Sequence, residues 1–341
     1  MMFILKPTEP TRKGLTLRQQ FTQLDPLGNL FLLPSIICML LALQWGGATY
    51  AWSDGRIIAL WVLFAVLFIA FVAVEYFKQD TAMIPASVIK NRSLISAVWF
   101  TFSLASGMMI LVYYLPIWFQ AIKGVSAVKS GIDTIPLVLS LVIGSIGAGQ
   151  IVGRIGYYTP LAIASSVIMP IGAGLISTWK TDTGHAMWIG YQVLFGFGLG
   201  LGMQQGNMAA QTVLARKDVP IGVSLCFFAQ MLGGAIFVSV GQNVFQSALV
   251  DGLTSTVRDL RPAMIVNTGA TDLRNILPPE DLPIVLNVYN HALRQVFLVA
   301  VGMGCVGAIG AWTLEWKSVK GTKGLSASSH DKPTEEKKLE K

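Results

Sequence analysis

Charge is scarce in this sequence. Only 13% of the 341 residues are Asp, Glu, Lys or Arg, against roughly 25% in an ordinary soluble domain. A soluble chain of this length needs polar side chains to cover its surface, and this one does not carry them. Cysteine is scarce too. Cys38, Cys226 and Cys305 all lie inside apolar runs with no partner at metal-ligand spacing, so they read as small hydrophobes. The three histidines, His185, His291 and His330, do not cluster with acids in sequence, which argues against a membrane enzyme such as an acyl transferase. No glycine-rich segment ends in Gly-Lys-Ser/Thr, and no His-Glu-x-x-His occurs, which excludes an ATP-binding motor of that type and a zincin protease. No catalytic residue, metal or cofactor is expected. A cleavable signal peptide is not expected either, because Lys6-Pro7 ends the apolar stretch Met1–Leu5.

Long apolar runs are abundant, with 53% hydrophobic residues and a mean hydropathy of +0.60. Runs of about 18 residues or more fit a hydrocarbon layer ~30 Å thick, since a helix rises ~1.5 Å per residue. Eight spans are predicted, at 28–47, 57–77, 94–119, 132–153, 158–178, 186–212, 220–248 and 292–314. A polar arm (1–25) precedes them, a polar segment (249–291) separates the last two, and a charged tail (315–341) follows. The expected fold is therefore an all-α polytopic membrane protein whose first partner is the lipid bilayer.

The net charge of +7 does not imply nucleic acid, because the basic residues sit between the spans, where membrane orientation requires them. Lys and Arg favour the side that holds both chain ends, which places those ends in the cytoplasm; without the tail the excess is small. Asn91-Arg92-Ser93 is a glycosylation sequon that this topology leaves unmodified. Trp45, Trp52, Trp118, Trp179, Trp188, Trp312 and Trp316 fall near span ends, as an aromatic belt would.

Glycines recur at four-residue spacing, at Gly198, Gly202 and Gly206 and again at Gly149 and Gly153, which predicts close helix approach. Gly196–Gly200 lacks a preceding strand and is not read as a dinucleotide fingerprint. Polar residues inside spans face a bundle interior or a wet cavity. Gln204, Gln205, Asn207 and Gln230 are accordingly candidates for substrate contact, with interhelical hydrogen bonding as the alternative. Tyr113, Tyr114, Trp118 and Phe102 are candidate linings for a flat apolar substrate, or packing residues. No Asp or Glu falls near the middle of any span, so nothing within them supplies the ionisable carboxylate that proton coupling uses.

Several stretches carry a resemblance: Leu24-Asp25-Pro26-Leu27-Gly28, Leu41–Gly47 with Tyr50–Asp54, Tyr113–Gln120, Ser130-Gly131-Ile132, Gly153–Tyr158 and Gly269–Arg274. In this order they resemble the carboxy-terminal part of fungal fourteen-helix drug:proton antiporters of the major facilitator superfamily. The resemblance implies two linker helices (26–93) followed by the second six-helix bundle (94–314). It also implies proton-coupled efflux of small amphipathic compounds, drugs or secondary metabolites, across the plasma membrane, with the vacuolar membrane second. The spans 94–119 and 186–212 correspond to cavity-lining helices, which favours Tyr113, Gln204 and Gln205. Arg154 matches a cytoplasmic loop motif and is a candidate conformational latch, or a positive-inside charge. The family's first six helices are missing from this sequence. The expected partners are a small amphipathic substrate and either an oligomeric mate or that amino-terminal half; the competing expectation is a half-bundle that transports nothing and only associates with other membrane proteins.

Overall fold

A computed structural model describes residues 25–47, 49–78, 83, 85–256 and 280–320. The arm before Asp25, the Gly269–Arg274 stretch and the tail beyond Lys320 lie outside the described residues. Eleven helices are described: α1 (Pro26–Trp45), α2 (Gly55–Phe77), α3 (Ala86–Ile89), α4 (Arg92–Lys123), α5 (Ala127–Asp133), α6 (Ile135–Ile155), α7 (Thr159–Ile176), α8 (His185–Gly202), α9 (Gln205–Val213), α10 (Val219–Thr256) and α11 (Leu282–Thr313). With α5–α6 and α8–α9 each counted as one crossing, eight are long and apolar enough to cross a membrane.

Local chemistry sets the helix ends. The Asn91 side chain accepts from Leu94 N at 3.2 Å and starts α4, and Gly124, at φ 67°, stops it. Asp54 caps α2 through Arg56 N at 2.9 Å. Three helices outrun their apolar stretches. The third span fills 92–123 rather than 94–119, the seventh continues to Thr256, and the eighth begins at Leu282 rather than 292. Apolar residues mark only the length immersed in lipid; helical turns continue into the headgroup layer, where polar side chains are no obstacle.

α4 threads the centre. It packs on α10 and α11, while α8 packs on α6 and α7, and α7 also meets α11. Exchanging the triplet α4–α6–α7 with the triplet α8/α9–α10–α11 maps these five pairings onto themselves, as an inverted repeat would, although α10 also packs on α11 with no comparable α6–α7 packing. The glycines of α8 allow these contacts. A methyl at Gly198 would lie 2.6 Å from Met169 N, and one at Gly200 would lie 2.8 Å from Ser145 N and overlap the Leu141 carbonyl. Gly206 instead faces Thr101 of α4, whereas Gly149 and Gly153 meet nothing within 4 Å, so the close approach expected there is not made among the described residues.

Helices α1 and α2 form a separate hairpin. Ser35 Oγ donates to the Phe64 carbonyl at 3.2 Å within it, and Asn243 Nδ2 of α10 donates to the Leu43 carbonyl at 2.8 Å. α2 buries only Ile57 and Phe71 and leaves Val62, Val66, Ile69 and Val72 exposed, a lipid-facing surface.

The expected tryptophan belt needs correction. Trp45, Trp52, Trp312 and Trp316 are exposed, but Trp118, Trp179 and Trp188 are buried. The Trp118 and Trp179 ring centroids are 4.6 Å apart, and Phe119 joins Trp118, Trp179 and Trp188 in one aromatic cluster. Span-end position alone does not distinguish a ring facing lipid from one facing the bundle.

Candidate functional site

The polar residues singled out in the sequence centre on an interruption. The sixth span is not one helix: α8 ends at Gly202 and α9 starts at Gln205, with Met203 and Gln204 between them. The chain repairs the break with a side chain. Gln205 Nε2 donates to the Leu201 carbonyl at 2.8 Å, bonding an acceptor close to the break. Because its nitrogen faces that carbonyl, its oxygen points away, and Gln205 Oε1 is buried without a partner among the described residues. Asn207 is buried as well, and its Oδ1 also lacks a partner.

The structure separates the sequence candidates. Gln204 is exposed, Gln230 is half-buried, and Gln205 and Asn207 are turned inward. In a bundle described without any opposing half, a group lining a cavity between halves stands at the surface. Gln204 and Tyr113 do so; Gln205, at 1% exposure, does not. Nor do the two surface groups meet. Tyr113 lies about 30 Å along α4 from its Arg92 end, while Gln204 lies only about 14 Å from the Val213 end of its span, at ~1.5 Å per residue. Gln230 is about 17 Å into α10 from Val219 and shares the depth of Gln204. Tyr114, beside Tyr113, is a packing residue: its hydroxyl lies 3.3 Å from the Val238 carbonyl and 3.4 Å from Gln242 Oε1. Phe102 lies about 18 Å from Tyr114 along α4, toward the Arg92 end, and packs edge-on to Phe237.

Arg154, at the end of α6, is exposed, and its carbonyl accepts from Lys320 Nζ. That bond belongs to a strap, residues 314–320, crossing the end of the bundle. Tyr158 Oη and Thr159 Oγ1 donate to the Glu315 carbonyl at 2.9 and 3.0 Å, and Val319 N donates to the Gly156 carbonyl at 2.8 Å. Burial, and secondarily the Glu315 carboxylate, push the Tyr158 hydroxyl up to about 12. The exposed Glu315 is held below the usual carboxylate range, chiefly by its bond to Lys317.

Two features escaped the sequence reading. Asp25, just before α1, is buried with 1% exposure; Lys78 Nζ lies 3.5 Å from it, and among the described residues neither carboxylate oxygen has a hydrogen-bond partner. The pairing of helix ends 53 residues apart leaves no local signal, although an Asp placed directly before Pro26 at a helix start is visible. Asn290 ties the far end of the bundle together. Its Oδ1 accepts from Trp118 Nε1 at 2.8 Å and its Nδ2 donates to the Trp179 carbonyl at 3.0 Å. Among the described residues no group of three His, Cys, Asp or Glu side chains is placed to hold a metal.

No family model matches the chain. Relatives do. The MFS-type efflux pump MFS1 of Arthroderma benhamiae is 48% identical over 323 residues, 95% of this chain and 60% of that protein. The MFS-type transporter VdtG of Byssochlamys spectabilis is 49% identical over 324 residues, 95% of this chain and 58% of that protein. Over nearly its whole length the chain is thus similar to fungal MFS-type transporters. A solved bacterial homologue of the human lysosomal transporter Spinster, described as inward-facing and occupied, shares the fold: TM-score 0.50, 15% identity, 86% of this chain and 63% of that one covered. The chain is an integral, multi-pass membrane protein, and it spans about 60% of the length of the relatives it matches.

Proposed function

We propose that this chain supplies one side of an alternating-access transporter that exports small amphipathic compounds. The observation that carries the proposal is its 48% identity to an efflux pump over 95% of its own length. On this reading α4–α11 form one rocking half, whose two triplets carry the inverted-repeat neighbour pattern, and α1–α2 link it to the opposing half. Substrate passes the exposed Gln204 and Tyr113, with Gln230 beside the lower site. Gln205 and Asn207 act indirectly, by shaping the break that presents Gln204. Arg154 serves as a latch at the strap end, because its guanidinium is exposed while its backbone is held by the strap. Export is coupled to protons, and the plasma membrane is the site of action.

Substituting Gln204→Ala in cells that express the chain in its native form tests the site. Normal abundance with reduced export of a toxic amphipathic compound is expected. Unchanged export at unchanged abundance overturns the role given to Gln204.

A further inference from the structure

The end of the bundle opposite the strap holds a polar cleft of about 470 Å³ between the α7–α8 loop and the start of α11. Lys180, Asp182, Asn287, Asn290, His291 and Arg294 line it. Its framework is built rather than incidental. Arg294 Nε donates to the Ser177 carbonyl at 2.6 Å, Asn290 holds the Trp179 carbonyl, and Lys123 Nζ donates to the Thr181 and Thr183 carbonyls at 2.9 and 2.8 Å. Lys180 N also donates to Thr183 Oγ1 at 2.8 Å, which tightens the turn. Alternate carbonyls of the loop are thus pinned by side chains from α4 and α11. With Nε engaged, Arg294 has only its two terminal amino groups left for a ligand. Among the described residues no salt bridge joins Arg294, Lys180 or Asp182.

Depth fixes what this cleft meets. α11 has 32 residues, about 48 Å of helix, against a hydrocarbon layer of ~30 Å. No charged residue follows Arg294 within α11, so Arg294 marks the edge of the hydrocarbon and Asn287–His291 stand in the headgroup layer. Two cations are set to receive a phosphodiester, for which a guanidinium fork is well shaped. Asp182, exposed and in electrostatic contact with the Lys123 ammonium, supplies the carboxylate beside them for a ligand's ammonium.

We propose that the cleft binds the headgroup of a zwitterionic phospholipid, phosphate on Arg294 and Lys180 and ammonium on Asp182. A lipid is favoured over a free amino-alcohol phosphate because the cleft opens at the level where such headgroups are already concentrated.

The test is native mass spectrometry of the full chain, delipidated in detergent and titrated with phosphatidylethanolamine or phosphatidylglycerol. Wild type retains phosphatidylethanolamine preferentially. Lys180→Gln lowers that retention about tenfold, a ~1.4 kcal/mol effect, and Asp182→Asn abolishes the preference over phosphatidylglycerol. Lys180 and Asp182 are exposed, and among the described residues neither side chain makes a hydrogen bond or salt bridge, so these variants fold even if Arg294→Gln does not. Equal retention by wild type and Lys180→Gln overturns the site. Equal binding of the two lipids by wild type overturns the ammonium contact. Displacement by soluble phosphorylethanolamine at matched concentration overturns the choice of a lipid over the free phosphate.

Discussion

A methyl group added at Gly200 separates packing from conformational freedom. The new Cβ would overlap the Leu141 carbonyl oxygen, lie 2.8 Å from Ser145 N and lie 3.1 Å from the Gly144 carbonyl carbon, all backbone of α6. No rotamer change relieves a backbone clash, so α8 must move away from α6 along their shared length. Overpacking of this kind costs ~1–3 kcal/mol, and the upper end applies where two helices separate. Replacing glycine by alanine inside a helix returns up to ~1 kcal/mol, leaving Gly200→Ala destabilised by about 2 kcal/mol. Gly149→Ala is the matched control, because nothing lies within 4 Å of its added methyl; only the favourable helix contribution remains there. Thermal unfolding of the purified chain in detergent, followed by circular dichroism, measures both. The ordering Gly149→Ala at or above wild type, with Gly200→Ala clearly below, is expected. Gly200→Ala unfolding at the same temperature as Gly149→Ala refutes the close α6–α8 approach.

Asn290→Leu leaves the Trp118 indole N–H and the Trp179 carbonyl unpaired in the core, at about 1–3 kcal/mol for each buried group. Unfolding at lower temperature with a shifted tryptophan emission is expected, and an unchanged spectrum and midpoint count against the clamp. Alkaline stability tests the strap. Tyr158 titrates higher in the folded chain, near 12, than in the unfolded one, so the folded form binds more protons between about pH 10 and pH 12. Its contribution is complete below pH 10 and declines as pH rises through that window; Tyr158→Phe flattens the decline, and an equally steep profile in the variant contradicts the assignment. Val319→Pro removes the N–H bonded to Gly156. Limited trypsin digestion then cuts faster at Lys317 and Lys320, whereas an unchanged rate means that the strap is held elsewhere.

The eight crossings were legible because each places a long apolar run against a fixed lipid thickness, and the order of motifs pointed to two linker helices followed by a six-helix bundle. What the sequence did not reveal depends on direction and on distant partners. The break at Met203–Gln204 carries no proline, and the same apolar and amide residues suit a straight helix. Trp118 and Trp45 occupy equivalent span-end positions, yet one faces Asn290 and the other the surface, because only tertiary packing decides which side of a helix meets the core. The polar residues of 282–291 look like loop when judged by hydropathy, but they continue α11 beyond the hydrocarbon. Gln205 illustrates the limit for site residues. An amide inside a span serves a substrate or a helix equally well, and its bond to the Leu201 carbonyl engages only one of its two polar ends.

The transport account stands on the need for an opposing half. Its most direct test is the native mass of the species that carries this chain, solubilised from its own membrane and captured by an antibody to residues 321–341. Alternating access predicts a protein mass well above the 36.8 kDa of this chain, whether the added helices lie on the same polypeptide or on another. A monomer of 36.8 kDa that still exports substrate would contradict the account.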